Sequence, residues 1–372
     1  MAPLKLGMVG GGQGAFIGAV HRIAARLDGC FDLVAGAFAS DPARAHASAA
    51  ELGVAPDRSY ADYADMAVAE AARADGIVAV AIVTPNHLHG PIAEAFLAQG
   101  IHVICDKPMT ATLAQAQSLA KVATASDAQF FLTHNYTGYP MIRQARQMIA
   151  EGMLGDLRMV EAQYLQDWLA APADADNKQA AWRTDPAQAG GGAIGDIGTH
   201  AYNLACFTTG LTGQALSATL TTHVPGRAVD DDARVTVDFP GGIHGHIWAS
   251  QVAVGHENSL TLAIYGSAGG LRWAQEHPNQ LWFTKLGQPP QLITRGSSAS
   301  HPAANAVTRI PAGHPEGYLE AFATLYREAA AAISGAPRDT DALLGIADGL
   351  AGMKFIDACQ RSSRQNGARI EL

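Results

Sequence analysis

The sequence predicts a two-domain α/β protein, in which a doubly wound parallel sheet is followed by an α+β domain with a large, mostly antiparallel open sheet. Short apolar stretches alternate with helical ones as far as Thr133, and this alternation is typical of parallel strands joined by helices. Beyond Thr133, short strand-like stretches are separated by Gly and Pro turns, as in antiparallel sheets. The 372 residues are enough for two hydrophobic cores. We therefore expect one domain over residues 1–133 and a second over residues 134–372.

The first strand, loop and helix form the strongest local motif. Residues 4–9 read as a buried parallel strand and run into the sequence GGGQG at residues 10–14. The helix that follows has a predicted apolar face of Ile17, Val20, Ala24 and Leu27. This order is the setting of a dinucleotide-binding Rossmann fingerprint, because glycines let the backbone approach a pyrophosphate and the helix N-terminus offers N–H donors. The candidate cofactor contacts here are Gly10, Gly12, Gln13, Gly14, Ala15, Phe16 and Ile17.

Further strands and helices continue the alternation. The predicted strands cover residues 33–38, 77–83, 102–106 and 129–133. The predicted helices include one that Asp41 and Pro42 begin, one over residues 91–99 that ends at Gly100, and one over residues 112–126.

The position that would select the cofactor departs from the usual pattern. An acidic side chain at the end of the second strand commonly binds the adenosine ribose, but Ala39 and Ser40 stand there, with Arg44 beyond them. Ser40 and Arg44 could hold the 2′-phosphate of NADP, because the carboxylate that would repel it is absent from this position. Alternatively, Arg44 is a solvated helix residue and NAD binds without this contact. The sequence thus leaves NAD or NADP open.

Two other stretches carry side chains suited to proton transfer. Lys107 stands at the carboxyl end of a predicted parallel strand, where open α/β sheets bind ligands, and Pro108 restricts its backbone. Three glycines at residues 190–192 precede a predicted helix that begins near Asp196 and places His200 one turn along the same face. An acid and an imidazole this close can handle a proton. The alternative is that Asp196 caps a helix and His200 is a packed core histidine.

Taken in chain order, these motifs resemble those of the glucose–fructose oxidoreductase/inositol dehydrogenase (Gfo/Idh/MocA) family of NAD(P)-dependent oxidoreductases. The matching stretches are the glycine loop with GAVH at 18–21, TPNHLH at 84–89, DKP at 106–108, Gly155, Trp182-Arg183, and GGG at 190–192 with Asp196, Gly198 and His200. They cover nearly the whole chain. The resemblance implies an N-terminal Rossmann domain and a C-terminal domain whose exposed sheet face joins subunits, hence a homodimer or homotetramer.

The resemblance also implies roles for the matching residues. The catalytic residues would be Lys107, Asp196 and His200. Further cofactor contacts would come from Thr84, Pro85, Asn86, His89, Asp106 and Lys107. Substrate contacts would come from Lys107, Tyr136, Arg183, Asp196 and His200, while Trp168 and Trp182, which flank residues 169–181, could line a sugar pocket or simply pack. In three respects the chain departs from the family pattern: Asp106 replaces a glutamate, Asn203 replaces a frequent aspartate, and the glycine loop is a few residues longer.

The second domain has its own predicted elements. Strands are predicted over residues 159–166, 215–223, 234–239, 243–251, 259–264 and 280–285. Helices are predicted over residues 139–151, 318–334 and 341–362, and loops over residues 134–138 and 287–317. Two histidine pairs could be read as metal ligands, His87 with His89 and His244 with His246. Neither has a third ligand at a suitable spacing, so we expect no metal.

Composition limits the partners and the compartment. The net charge is −9 without a Lys or Arg cluster, so we expect no binding to nucleic acid or to an anionic membrane. The longest apolar run, at residues 77–83, is too short to span a bilayer, and the N-terminus lacks a signal-peptide pattern. The four cysteines are scattered and include no C-x-x-C pair, as expected of reduced thiols in the cytoplasm.

These observations predict an NAD(P)-dependent oxidoreductase that transfers hydride between nicotinamide and a hydroxyl-bearing carbon of a sugar, sugar derivative or cyclitol. One alternative is a glycoside hydrolase or lyase that oxidises its substrate transiently with bound NAD. Another is a non-catalytic sugar sensor, against which the intact Lys107 and His200 count.

Overall fold

The computed structural model describes residues 2–172, 178–336 and 342–372. It divides into two compact units. The first unit comprises Met1–His134 and Phe322–Leu350, and the second comprises Asn135–Ala321 and Ala351–Leu372. The predicted boundary after residue 133 lies one residue before the first break. The prediction placed residues 322–350 in the second domain, whereas the compact units place them in the first. That residues 1–133 and 134–372 are the two functional domains stays a prediction.

The first unit is built on a five-stranded parallel sheet of order β2-β1-β3-β4-β5. Its strands are β1 (Leu4–Gly10), β2 (Phe31–Ala37), β3 (Ala79–Val83), β4 (His102–Cys105) and β5 (Phe130–Leu132). Every residue of the central strand β3 is buried, as expected where helices cover both faces of a parallel sheet. The predicted doubly wound sheet is confirmed, although β2 begins two residues earlier than predicted, where Phe31 pairs with Leu4.

Five helices connect these strands. They are α1 (Phe16–Leu27), α2 (Pro42–Glu51), α3 (Tyr63–Ala72), α4 (Asn86–Leu97) and α5 (Leu113–Ala125). The Asp41 carboxylate accepts the Arg44 N–H at 2.8 Å, which confirms the predicted cap of α2. Two predictions were wrong: α4 begins at Asn86 and contains Pro91 in its interior, and Leu27 on α1 is 44% exposed rather than buried.

Residues from the end of the chain complete the first unit. The Tyr326 hydroxyl and His21 Nδ1 share a hydrogen bond of 2.8 Å, and the Tyr326 ring meets the Phe31 ring edge-on. The Leu344 carbonyl accepts the Leu132 N–H at 3.0 Å. These buried contacts are the physical reason why residues 322–350 belong with the parallel sheet, and no local sequence pattern predicts such contacts.

The second unit is built on a nine-stranded sheet of order β13-β12-β11-β10-β6-β9-β8-β7-β14. Its strands are β6 (Leu157–Leu165), β7 (Ala215–Thr221), β8 (Asp232–Phe239), β9 (Ile243–Ser250), β10 (Ser259–Gly266), β11 (Gly269–Ala274), β12 (Gln280–Lys285), β13 (Gln291–Thr294) and β14 (Ile370–Glu371). Neighbours are antiparallel except β6 and β9, which run parallel. The predicted mostly antiparallel sheet is confirmed.

The remaining helices are α6 (Pro140–Ala150), α7 (Lys178–Arg183), α8 (Pro186–Ala189), α9 (Thr199–Thr209), α10 (Pro302–Asn305), α11 (Tyr318–Ile333) and α12 (Ile346–Arg364). Helix α9 packs against α6 and against β6. On β6, Val160, Ala162 and Tyr164 are buried while Met159 is exposed. Because side chains alternate along a strand, one face of the sheet is covered and the other is open.

The second unit also corrects several predictions. Strand β11 was not predicted, and residues 287–317 are not one long loop, because they contain β13 and α10. Within this stretch, Arg295 is buried and donates to the carbonyls of Ile310 and Pro311. The predicted loop at residues 134–138 is a buried 3₁₀ turn over Asn135–Gly138. Residues 173–177 of the predicted pocket segment and Asp341 of the last predicted helix lie outside the described residues. In the parts of the chain that the structure describes, no helix is both long and apolar enough to cross a bilayer.

Candidate active site

The glycine loop joins β1 to α1 in a conformation that other residues rarely adopt. Gly10, Gly11 and Gly14 have φ angles of 81°, 71° and 78°, in the left-handed region that favours glycine. A Cβ on Gly18 would lie 2.4 Å from the Gly11 Cα. The absence of that Cβ lets α1 approach the loop closely, as the fingerprint requires.

The start of α1 fits an anionic ligand. Ala15 stands at its N-cap without a side-chain hydrogen bond, and its first turn carries no acidic residue. The first N–H groups of the helix and its dipole therefore favour a phosphate. Next to them lies a cavity of about 340 Å³, lined by Gly12, Gln13, Gly14, Ala15, Phe16, Ala19, Arg22, Ser48, Glu51 and Leu52. These features fit a dinucleotide pyrophosphate. Seven residues of this segment were predicted to bind it, and five of them line the cavity: Gly12, Gln13, Gly14, Ala15 and Phe16. Gly10 belongs to the same loop, and Ile17 is not among the lining residues.

The loop is also tied to α2. The Gln13 N–H donates to Ser48 Oγ at 3.2 Å, and Gln13 Nε2 donates to Glu51 Oε2 at 2.8 Å. Phe16 is 66% exposed, whereas Ile17 is partly buried on α1. The additional residues of the loop are thus held by the second helix.

The carboxyl end of β2 presents Ser40 and Arg44 to solvent. Asp41 stands next to Ser40, but one of its carboxylate oxygens accepts the Arg44 N–H and caps α2. Both predicted residues are therefore accessible, and the nearest carboxylate is engaged with the helix.

The ends of β3 and β4 are joined through His89. This buried imidazole lies with Nε2 2.9 Å from the Thr84 carbonyl and Nδ1 2.8 Å from the Pro108 carbonyl. Burial lowers its pKa, while the negative charge of Asp106 opposes that shift. Thr84, Pro85 and Asn86 form the turn from β3 into α4, so His89 braces this turn against the segment that carries Lys107.

Lys107 follows β4 and is joined to Pro108 by a cis peptide bond. The preceding Asp106 fixes its backbone, because Asp106 Oδ1 accepts the Lys107 N–H at 2.9 Å and the Thr133 hydroxyl at 3.1 Å. Burial by itself would raise the pKa of Asp106, but the interactions with His21, Lys107 and His89 together hold it below its ordinary value. The His21 Nε2 atom lies 3.9 Å from Asp106 Oδ1. The shorter acidic side chain is therefore a partly buried carboxylate that fixes the backbone of Lys107.

In the second unit, Asp196 does not stand at the start of an α-helix. It lies in a π-helical turn, Ile194–Gly198, which continues directly into α9. His200 is the second residue of α9. The prediction of an ordinary helix start was wrong, and π-helical turns of this kind occur frequently at functional sites.

Asp196 is surrounded by hydrogen-bond donors. Its Oδ2 atom accepts Gln251 Nε2 at 2.9 Å and lies 3.3 Å from Arg183 Nε. The Arg183 guanidinium lies 4.2 Å from the centre of the Trp182 ring and 5.9 Å from that of Trp168. The structure therefore brings four predicted residues, Trp168, Trp182, Arg183 and Asp196, into one cluster.

His200 is 6% exposed and lies among aromatic rings. The Tyr136 ring meets its imidazole edge-on with ring centres 4.7 Å apart, and Tyr164 lies 6.0 Å away. The two tyrosine hydroxyls are 2.5 Å apart, and Tyr164 donates to Asn258 Oδ1 at 2.7 Å. Burial raises the pKa of Tyr136 to about 12. His200 is thus packed against two tyrosine rings, Tyr136 and Tyr164, whose hydroxyl groups stay protonated at neutral pH.

Sequence reasoning missed several residues of this cluster. Tyr164 and Gln166 lie at the end of β6, and Asn258 accepts hydrogen bonds from both. Gln251 follows β9. Their spacing along the chain carries no motif, so only the register of the sheet brings them together. Lys107 belongs to the first unit and Asp196 and His200 to the second, so their joint action stays a prediction.

The histidine pairs do not form metal sites within the described residues, where no group of three or more His, Cys, Asp or Glu side chains could hold an ion. His244 instead lies 3.4 Å from Asp238.

Comparisons with known proteins place these features in a family. Residues 4–134 match the oxidoreductase family model described as an NAD-binding Rossmann fold, and residues 142–272 match the GFO/IDH/MocA C-terminal domain. The prediction of a nicotinamide dinucleotide cofactor is therefore confirmed.

Three relatives extend the match. An oxidoreductase structure from Sinorhizobium meliloti is 53% identical, with a TM-score of 0.92 and 100% of both chains covered. The structure of an inositol dehydrogenase homolog from Azotobacter vinelandii, complexed with NADH and myo-inositol, is 36% identical with a TM-score of 0.92, covering 100% of this chain and 98% of that one. The levoglucosan dehydrogenase of Pseudarthrobacter phenanthrenivorans is 28% identical over 84% of this chain and 85% of its own length. The chain therefore belongs to the Gfo/Idh/MocA family of NAD(P)-dependent oxidoreductases, whose members include sugar- and cyclitol-type dehydrogenases.

Proposed function

We propose that this protein is a dehydrogenase that oxidises a secondary ring hydroxyl of a cyclitol or sugar with NAD(P)⁺. The observation that carries the proposal is the cluster in which Arg183 and Gln251 hold Asp196 one helical turn before the buried His200. The similarity to a structure with NADH and myo-inositol supports a cyclitol, and that to levoglucosan dehydrogenase supports a sugar derivative.

The first unit would hold the cofactor. The loop at residues 10–14 and the N-terminus of α1 would bind the pyrophosphate, and the turn at residues 84–86 would support the nicotinamide half. When bound, the nicotinamide supplies a hydride acceptor. The braced Asp106 and His89 would keep the Lys107 segment fixed beside it.

Each catalytic side chain would have one role. His200 would accept the proton of the reacting hydroxyl, a task suited to a neutral imidazole. The Lys107 ammonium would stabilise the negative charge that develops on that oxygen, and a site shielded from water strengthens this effect. Asp196 would accept a hydrogen bond from a neighbouring hydroxyl, which fixes the orientation of the ring.

The substrate ring would be held by aromatic and amide groups. The Trp168 and Trp182 rings lie close to the Arg183 guanidinium and would supply apolar surface, and the Tyr136 ring lies beside His200. Sugars and cyclitols combine hydroxyl edges with apolar C–H faces, so this combination of groups fits both.

A dehydrogenase screen tests the proposal. Purified enzyme is given myo-inositol, D-glucose or levoglucosan with NAD⁺ or NADP⁺, and NADH or NADPH formation is followed by absorbance. We expect net reduction with at least one pair. Lys107→Ala and His200→Ala should each lower kcat by at least about a hundredfold, the range typical of general acid–base groups.

Exposed residues of the same types provide the controls. Lys121→Ala and His277→Ala alter an exposed lysine and an exposed turn histidine and should leave kcat within about twofold, since surface changes are usually small. Near-normal turnover in both Lys107→Ala and His200→Ala would refute the assignment. Product formation without net NADH or NADPH would favour the transient-oxidation alternative, and binding of cofactor without any turnover would favour a sensor.

We also propose that the open face of the nine-stranded sheet joins two or four copies of the chain. Met159, Tyr265, Trp282 and Leu292 are exposed on this face, where Tyr265 pairs with Met159 and Trp282 with Leu292. Light scattering after size-exclusion chromatography should give a dimer or tetramer. Tyr265→Glu with Trp282→Glu should yield monomers, whereas Val254→Glu, at an exposed apolar loop residue, should not. A monomeric wild-type protein would contradict the proposal.

A further inference from the structure

A carboxylate outside the predicted site holds the segment that carries Asp196. Asp230 lies in the turn before β8 and is partly buried. Its Oδ1 atom accepts the Gly192 N–H at 2.9 Å, and its Oδ2 atom accepts the Ile194 N–H at 2.8 Å. Its carbonyl also accepts the Ala193 N–H at 2.9 Å. One residue thus accepts three successive backbone N–H groups at the entry to the π-helical turn.

These groups are those that a helix leaves unsatisfied at its N-terminus. The first N–H groups of a helix have no partner within it, and a carboxylate there also interacts favourably with the helix dipole. Two residues beyond Ile194, the Asp196 N–H donates to the Gly192 carbonyl at 2.9 Å. Asp230 therefore caps the turn two residues before Asp196, the residue that would bind the substrate.

The contact is too close for any side chain at residue 192. A Cβ there would lie 1.7 Å from the Asp230 carbonyl oxygen, whereas a Cβ at Gly195 would meet nothing within 4 Å. The Gly190 carbonyl is fixed from another direction, since it accepts Gln360 Nε2 at 2.7 Å. The glycines of this motif thus allow the chain to lie directly against Asp230.

The same turn also supports the other side of Asp196. The carbonyl of the adjacent Asp231 accepts the Gln251 N–H at 2.8 Å, and the Gln251 side chain donates to Asp196. Residues 230 and 231 therefore position both the backbone of Asp196 and one of its side-chain donors.

We propose that Asp230 is a positioning residue for the reaction: its carboxylate sets the placement of Asp196 and His200 by capping the turn that carries them. This inference rests on the proposed function, because it assumes that Asp196 and His200 act on the substrate. The hydrogen bonds described for Asp230 go to the backbone of residues 192–194, so it would act through Asp196 and His200 and not on the substrate directly.

Glu70 provides a matched control. It is buried, and its carboxylate also accepts a backbone N–H, that of Ile77 at 3.2 Å, and the Tyr60 hydroxyl at 2.9 Å, beside an ion pair with Arg58. Ile77 precedes β3, at the amino end of the parallel sheet, whereas ligands bind at the carboxyl ends of such strands. Asp230→Asn and Glu70→Gln each replace one acceptor oxygen by an NH₂ group that faces a hydrogen-bond donor, so both should lower stability.

Single-turnover kinetics separate positioning from general damage. Full-length enzyme loaded with NAD⁺ or NADP⁺ is mixed with excess myo-inositol, D-glucose or levoglucosan, in the combination that reacts fastest in the screen, and NADH or NADPH formation is followed. A loss of folded enzyme lowers the amplitude, whereas misplaced side chains lower the rate constant. We expect Asp230→Asn to lower the rate constant at least about tenfold, since a displacement on the order of 1 Å can cost on the order of a hundredfold. Glu70→Gln should keep the rate constant within about twofold of wild type, as a change that affects stability alone would.

The outcomes are distinct. An unchanged rate constant in Asp230→Asn, or an equal fall in Glu70→Gln, would overturn the inference. Should Asp230→Asn fail to fold, Asp230→Ser retains one acceptor and is measured instead. His200→Ala is run in parallel: a wild-type rate in that variant, or no cofactor reduction by the wild-type enzyme with any substrate and cofactor of the screen, refutes the proposed function itself. A slow His200→Ala with a normal Asp230→Asn refutes only the role of Asp230.

Discussion

At the scale of single residues, Lys107 and Asp196, two of the proposed catalytic residues, are oriented by different kinds of partner. Lys107 is fixed through its backbone, because the neighbouring Asp106 carboxylate accepts its N–H. Asp196 is fixed through its side chain, by Gln251 and Arg183. Both acids are oriented by several donors, and such support limits the movement of a catalytic group.

Cofactor choice is also decided at the residue scale. Because Asp41 caps α2, Ser40 is the position from which a new carboxylate could reach the adenosine ribose. Ser40→Asp should repel a 2′-phosphate and bond a ribose hydroxyl. The ratio of kcat/KM for NAD⁺ to that for NADP⁺ should therefore rise at least about tenfold, or on the order of 1.4 kcal/mol. Gln99→Glu adds the same charge at an exposed residue and should leave the ratio unchanged. No change in Ser40→Asp would show that residue 40 does not face the ribose.

At the scale of elements, Gly192, just before the π-helical turn, and Gly195, within it, differ sharply in the space available for a Cβ atom. Gly192→Ala would force its Cβ against the Asp230 carbonyl, whereas Gly195→Ala would enter open space. Overpacking of this kind costs typically about 1–3 kcal/mol. We expect Gly192→Ala to lower the free energy of unfolding by at least about 2 kcal/mol and to reduce kcat, while Gly195→Ala changes stability by less than about 1 kcal/mol. Urea unfolding curves check this, and equal losses in the two variants would contradict the close approach.

The elements also show what the sequence can and cannot predict. The alternation of apolar and helical stretches predicted the parallel sheet, and the short strand-like stretches between Gly and Pro turns predicted the antiparallel one. The motif spacing predicted that Asp196 and His200 lie close together. The π-helical turn was not predicted, because the apolar positions after Ile197 fit an α-helix equally well. Asp230 was missed for a stronger reason: its partners lie 36 and 38 residues away and are backbone N–H groups, which any sequence possesses. Tyr164 and Asn258 likewise meet only through the sheet, 94 residues apart.

At the scale of the whole molecule, buried histidines make stability depend on pH. Burial and the Lys107 charge lower the pKa of His134 from 6.5 to about 3. As the pH falls below 6.5, His134 binds a proton in the unfolded chain, whereas in the folded protein it binds one only as the pH nears 3. The stability of the fold is therefore complete above 6.5 and decreases as the pH falls, by up to about 1.4 kcal/mol per pH unit for one histidine.

A variant isolates this contribution. The difference in thermal midpoint between pH 7 and pH 5 should be smaller in His134→Gln than in wild type, because the glutamine cannot take up a proton. His89, whose pKa burial also lowers, remains in both proteins and contributes equally. A midpoint difference that is the same in both proteins would contradict the assigned burial of a neutral His134.

The whole account depends on Lys107 of the first unit and His200 of the second acting on one hydroxyl group. The most direct measurement is a crystal structure of the enzyme with NADH and myo-inositol, or with the preferred substrate of the screen. We predict that the oxygen of the reacting carbon lies within about 3.2 Å of both Lys107 Nζ and a ring nitrogen of His200, the reach of a proton transfer. A substrate whose reacting oxygen contacts neither group, or only one of them, would contradict the account.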